Sequence, residues 1–437
     1  MSGRRDELSD KLKAVVRLML EDYRSLGKVE VFRVRDEFFR SFYVPTPFRG
    51  GVDQTVVFVD SGHTGKSYST DSFHLVLMNV GGVLRSGEKV EYFGHRAGGP
   101  EVEGYILYAS IVPDGFKVVI HPLDDNSLLV DASRAEAVSK SLTSLLTRGY
   151  GRFLGGGLDY WEKGVKYFRR VANYLVSLIE LSYCVKVLST IKDSICVLDG
   201  TLVRWFGAVQ LRAWLGFDGL DIASILSGVS REEILSRHLW RIYGIAKTTK
   251  FTIIARSRAL LSTVGGGYGS ISLESVERAA AFLRDVGARS KRFTEHLLNI
   301  VNPLVFHSDD YTIHALRTPV TVDGVNVFMF GLYTRGPLID IRQAYAVNEG
   351  VVEDSSGRLS TAVESIFARL TRAPGYPPLG FLEVDALVRL KKEYISSKFE
   401  PRMLLSIIEQ TGGKYHPLAE FFRPGFEKRL GYVRGPT

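Results

Sequence analysis

Two apolar, β-branched runs each end on an aspartate followed by small residues: TVVFVD at 55–60 before Ser61-Gly62, and SICVLD at 194–199 before Gly200-Thr201. In open α/β sheets, ligands collect in the crevice beyond the carboxyl ends of the strands. If the two runs are neighbouring central strands, Asp60 and Asp199 stand side by side at that crevice. Adjacent ionised carboxylates repel unless a cation lies between them. Mg²⁺ and Mn²⁺ take oxygen ligands, and two such ions about 3.5–4 Å apart can hold the attacking and leaving oxygens of a phosphodiester. That chemistry needs three or four carboxylates drawn from separate elements.

Three further side chains fit such a site. Glu180 stands among apolar residues (LVSLIELSYCV) in the helical stretch before the second aspartate strand, where an unpaired charge is costly. A solvated or salt-bridged role is its plainer reading. In GYPPLGFLEVDALVRL, Glu383 and Asp385 are two apart and point to different faces of a helix, so at most one faces the strand ends. A first-turn carboxylate favoured by the helix dipole is the competing role. Lys247 on a strand near the site could neutralise charge developing on a phosphate, although a surface lysine with its stem laid along apolar neighbours has the same signature. Lys250, Arg256 and Arg258 could track a nucleic-acid backbone or form a solvated face. His307 and His314, with Asp309 and Asp310, could frame a metal site, but turn and cap roles suit that cluster better.

The elements that must position these groups alternate between strand and helix. Residues 5–26 read as an amphipathic helix with Leu12, Val15, Val16 and Met19 on one stripe, and VEVFRV at 29–34 reads as a strand. FHLVLMNV, EYFGHRA and YILYASIV are further strand candidates. A long helix is expected over about 159–191, from the spacing of Phe168, Val171, Leu175, Leu178, Ile179 and Leu188. Residues 202–240 read as helical, IYGIAKTTKFTII as strand and VGGGYGS (264–270) as a loop, followed by a helix. Strands are expected over 311–345, and helices near 359–371 and 379–398. The pattern is α/β: a mixed β-sheet flanked by helices, in a single domain with its core at about 52–400, an N-terminal helix, and a mostly helical insertion at about 202–296. The helix and the insertion are placed to serve dimerisation or partner docking.

Composition narrows the class. With 437 residues, 45% of them hydrophobic, a large core can be buried. The net charge of +8 suits a polyanionic partner. No apolar run approaches the roughly 20 residues of a membrane-spanning helix, so a soluble, cytoplasmic protein is expected. The two cysteines, Cys184 and Cys196, cannot make a structural zinc site and read as buried, reduced thiols.

The ordered motifs VFVDSG, VLDGTL (197–202), GIAKTTKF (244–251) and GYP (375–377) with its following helix resemble the NurA nucleases of archaea and some bacteria. Together they span about residues 55–390. The small residues after Asp60 are exchanged relative to the family's usual Asp-Gly-Ser, and Asp385 stands where many members carry a histidine. The resemblance implies an RNase H-like fold and a nuclease that cuts single- and double-stranded DNA with Mn²⁺ or Mg²⁺, two ions being expected. It also implies a homodimer that works beside the HerA hexameric ATPase in DNA end resection. Carried over, Asp60, Glu180, Asp199 and Asp385 are metal ligands, with Tyr376 and Asp385 near the scissile phosphate and Lys247 beside them.

Two rivals stand beside this reading. DSGHTGKS (60–67) approaches the phosphate-binding loop Gly-x-x-x-x-Gly-Lys-Ser, but Asp60 holds the first glycine's place and a strand, where that loop needs a helix, follows Lys66. The other is a catalytically inactive DNA-binding scaffold of the same fold.

Overall fold

The computed structural model describes residues 12–22, 44–47, 54–64, 68–70, 72–154, 160–200, 202, 216–247, 267–270, 278, 281, 304–307, 312–321, 328–336, 357–368, 377–414 and 416–422. Its strands begin with β1 (Val44–Pro47), β2 (Thr55–His63), β3 (Tyr68–Ser69), β4 (Phe73–Ser86), β5 (Lys89–Tyr92), β6 (Glu103–Val112) and β7 (Gly115–Pro122). They continue with β8 (Ser194–Asp199), β9 (Ile242–Ala246), β10 (Gly267–Ser270), β11 (Leu304–His307), β12 (Thr312–Thr321) and β13 (Phe328–Gly336). The helices include α1 (residues 12–22), α2 (Phe93–Ala97), α3 (Ala135–Leu154), α4 (Tyr160–Thr190), α5 (Gly219–Ser227), α6 (Leu379–Val388) and α7 (Glu400–Gln410).

Among the described residues the strands form one mixed sheet ordered β1-β10-β12-β13-β9-β8-β2-β4-β6-β7, with β3 and β5 on β4 and β11 on β12. β8 runs parallel to both β2 and β9, and every other pairing is antiparallel. The α/β architecture expected from the alternating patterns is thus present, and the run β6-β4-β2-β8-β9 is consistent with an RNase H-like core.

Buried residues of the central strands separate by parity, as period-two side chains must. Val57, Val59, Cys196 and Leu198 face one core with α3, α4 and α5. Val56, Phe58, Ile195, Val197, Tyr243 and Ile245 face the other, which Phe381, Val384 and Val388 of α6 cover. Because β2 and β8 are covered on both faces, they read as continuous apolar runs and not as alternating ones. α4 is 31 residues long and reaches β8 through a short turn. Arg241 locks that turn, donating to the carbonyls of Ile191 at 2.7 Å and Ser194 at 2.8 Å.

The β7 margin of the sheet is finished by side chains. Backbone N–H groups of Phe116, Val118 and Ile120 donate to the hydroxyls of Thr147, Thr143 and Ser139 at 3.1, 2.9 and 3.1 Å. The two threonines donate back to the carbonyls of Phe116 and Val118. Four helical residues rise about 6 Å and two strand residues about 6.6 Å, so hydroxyls every fourth position on α3 match the outward groups of every second residue on β7.

Several expectations need correcting. EYFGHRA is not a strand throughout: β5 ends at Tyr92, and α2 follows, closed by Gly98 at φ 76°. The run at 264–270 is not wholly a loop, since Gly267–Ser270 pairs with β1. The helix expected over 379–398 stops at Val388, and Arg389 is extended at ψ 118° before helix resumes at Lys392. Both α3 and β7 lay outside the expected elements. Residues 29–34 and most of 202–296 lie outside the described residues. The α1 stripe is present, and Leu12, Val15, Val16 and Met19 are each more than half exposed.

α6 approaches the sheet closely because Gly380 lies flat on the Phe58 ring, where a Cβ would fall well inside van der Waals contact with the ring carbons. Gly380→Val should therefore cost about 1–3 kcal/mol by overpacking. An unchanged midpoint in denaturant would show that α6 is not held this way.

Candidate active site

The register β2–β8 pairs Val59 with Leu198, so Asp60 and Asp199 occupy the next positions on adjacent parallel strands. Both continue the parity of Phe58 and Val197, and so both fall on the α6 face. β9 adds Lys247 one residue past its end, on the parity of Tyr243 and Ile245. Its Nζ lies 2.8 Å from Asp199 Oδ2 and 5.2 Å from the centre of the Phe381 ring. Gly200 turns the chain away after Asp199 at φ 116°, and its N–H donates to Ile245 O at 2.8 Å.

α6 lies across alternate residues of β2. Phe58 meets Phe381 with ring centres 5.0 Å apart, and Gly62 lies against the Val388 carbonyl. Between those contacts Asp385 comes within electrostatic reach of Asp60, while also pairing with Arg389 one turn on. Glu383 points elsewhere and is held by Arg85, whose Nε donates at 2.8 Å. Of the two acidic residues on this helix, Asp385 is the one near the strand ends.

Asp60 is the electrostatic centre. Burial raises its carboxyl most, Asp199 and Asp385 raise it further, and the Ser61 N–H and Lys247 oppose them; the result is a pKa pushed up to about 7. An acid so placed holds its proton near neutrality unless a further positive charge arrives.

Glu180 takes a different position. α4 covers the opposite face of the sheet, and Glu180 accepts a hydrogen bond from the Ser61 hydroxyl. It is thus linked to the site through the residue after Asp60, across the strand end. Tyr376 lies outside the described residues, as do Lys250, Arg256 and Arg258. Ser61 was not singled out in the sequence; only strand parity, counted from Asp60, would have turned its hydroxyl toward α4.

The phosphate-loop alternative does not survive the backbone. β2 continues as strand through Ser61 and Gly62 to His63, paired with β4 as far as Met78, and Phe73 already opens β4. The extension occurs because β4 offers Gly81 and Gly82 opposite Asp60 and Val59, leaving room for α6 and for Tyr183 and Phe93 on the two faces.

Oxygen donors of the Asp60–Asp199 pair have the chemistry for a hard divalent ion. Among the described residues, however, no three His, Cys, Asp or Glu side chains are grouped closely enough to hold a metal together. Asp199 is paired with Lys247 and Asp385 with Arg389. The carboxylate pair suits a cation, whereas the expected four-carboxylate arrangement is not assembled.

No family model and no curated protein matches the chain. Among solved structures, it is similar to the NurA nuclease from Sulfolobus solfataricus, with a TM-score of 0.35 and 11% identity over 93% of this chain and 98% of that one. A NurA bound to dAMP and manganese matches with a TM-score of 0.24 and 11% identity, over 92% of this chain and 97% of that one. These structures carry the family name that the motifs suggested.

The raised pKa of Asp60 has a stability consequence. The folded chain binds this proton more tightly than the unfolded chain, so stability falls as pH rises from about 3.8 to about 7 and stays low above that. In chelator, Asp60→Asn should melt above the wild type at pH 8, by about 2 °C or more, with the gap closing toward pH 4. A gap of equal size at both pH values would show that Asp60 ionises without penalty.

Proposed function

We propose that this chain is a divalent-metal-dependent nuclease that hydrolyses phosphodiester bonds in DNA. The observation that carries the reading is the meeting of Asp60, Asp199 and Lys247 on one face of three adjacent parallel strand ends, under a helix that brings Asp385. Bound Mn²⁺ or Mg²⁺ would supply a water of lowered pKa and positive charge for the phosphate. Asp60 and Asp199 would hold the cation, with Asp60 giving up the proton that burial keeps on it. Lys247 would exchange Asp199 for a phosphate oxygen and neutralise charge as a water oxygen bonds to phosphorus and the bond from phosphorus to the leaving oxygen breaks. Arg389 turned to a DNA phosphate would free Asp385 as a further ligand, for a second ion. Glu180 fixes Ser61, and with it the backbone that carries Asp60.

The family resemblance extends this proposal. The substrates would be single- and double-stranded DNA, cut internally in single strands and from 5′ ends during end resection in double-strand break repair. The chain would act as a homodimer beside a HerA-type hexameric ATPase in the cytoplasm, with Tyr376 near the scissile phosphate. Among the described residues no helix is long and apolar enough to cross a membrane.

End-labelled single-stranded DNA incubated with the protein and Mn²⁺, without ATP, should be degraded, and chelator should stop it. Asp199→Asn should abolish cutting with folding retained, and Lys247→Gln should slow it about 10²–10³-fold, the usual cost of losing one charge-stabilising group. Cutting that persists in chelator, or full activity of Asp199→Asn, sinks the reading.

A further inference from the structure

We infer that Cys184 and Cys196 form a buried disulfide that staples α4 to β8. In the sequence the two are thiols twelve residues apart, with no local pattern that pairs them. The fold brings them together: Cys196 faces the same core as Cys184, and the two free thiols meet, Cys196 Sγ donating to Cys184 Sγ at 2.6 Å. Both side chains are fully buried.

A low-molecular-weight disulfide of the oxidised-glutathione class supplies the oxidant. One cysteine thiolate attacks it, forming a mixed disulfide and releasing one small thiol; the second cysteine then displaces the other. Two protein thiols lose two electrons and two protons, and the reagent leaves as two thiols. The exchange belongs to folding, before the core closes over α4. Once packed, the bond is shielded from small reductants.

Its position gives it a structural consequence. Cys184 is one helical turn after Glu180, and Cys196 is three residues before Asp199. The bond would therefore tie the helix that holds Ser61 to the strand that carries Asp199. The inference rests on the contact of two sulfurs and is independent of the nuclease reading; a chain that cuts no DNA could still carry the bond.

The test uses the full chain refolded with oxidised glutathione, then denatured with an alkylating reagent and no reductant. The expected intact mass carries no alkyl group and is lighter than the reduced chain by two hydrogen atoms; prior reduction restores two alkylation sites. Two alkyl groups without reduction would overturn the inference. Wild type refolded oxidised should also melt above wild type refolded in reductant, and Cys196→Ala should show no such gap. A gap of the same size in that variant would equally overturn it.

Discussion

Parallel pairing of β2 with β8 forces two acidic side chains into one small volume, and most of the surrounding structure answers to that crowding. Once Val59 is opposite Leu198, Asp60 and Asp199 have no freedom to separate, because strand parity sends both to the face beneath α6. The sheet supplies one cation from the next strand, Lys247, and α6 brings a third acid. Lys247 answers Asp199 and Arg389 answers Asp385, so ionising Asp60 leaves one uncompensated negative charge inside a chain that is positive as a whole. Such a balance favours an external cation at the centre and a polyanion around it.

Glycines make the close packing possible. Gly380 lets α6 lie on Phe58, and Gly62 receives the Val388 carbonyl where the helix ends. These contacts bracket Asp60, so the helix cannot slide along the strand without losing both. Polar supports occupy the other face: Arg241 fixes the turn from α4 to β8, and Glu180 holds Ser61. The site is thus gripped from both sides of the sheet, by apolar fit above and by hydrogen bonds below.

Much of this arrangement was legible in the sequence. The runs VVFVD and ICVLD announced buried strands ending on acids, and Lys247 followed a third such run. Glu180 was recognisable as out of place in its helix, but its face was not, because a helix can cover either side of a sheet and only the register with Ser61 decides it. The choice between Glu383 and Asp385 likewise needed a third residue, Arg85 on β4, which claims Glu383. α3 was missed for a different reason. Its sheet-facing stripe includes Ser139, Thr143 and Thr147, whose hydroxyls look solvent-seeking in sequence yet serve the backbone of β7. The contact of Cys184 and Cys196 is a tertiary event that no local pattern signals.

That hydroxyl row bears on how copies of the chain can associate. A bare strand margin invites lateral growth, the route to edge-to-edge aggregation. Here α3 answers the outward amides of β7, and at the opposite margin Pro45 and Pro47 remove two amides from β1. Among the described residues, neither of these two rims offers another strand a full row of backbone amides.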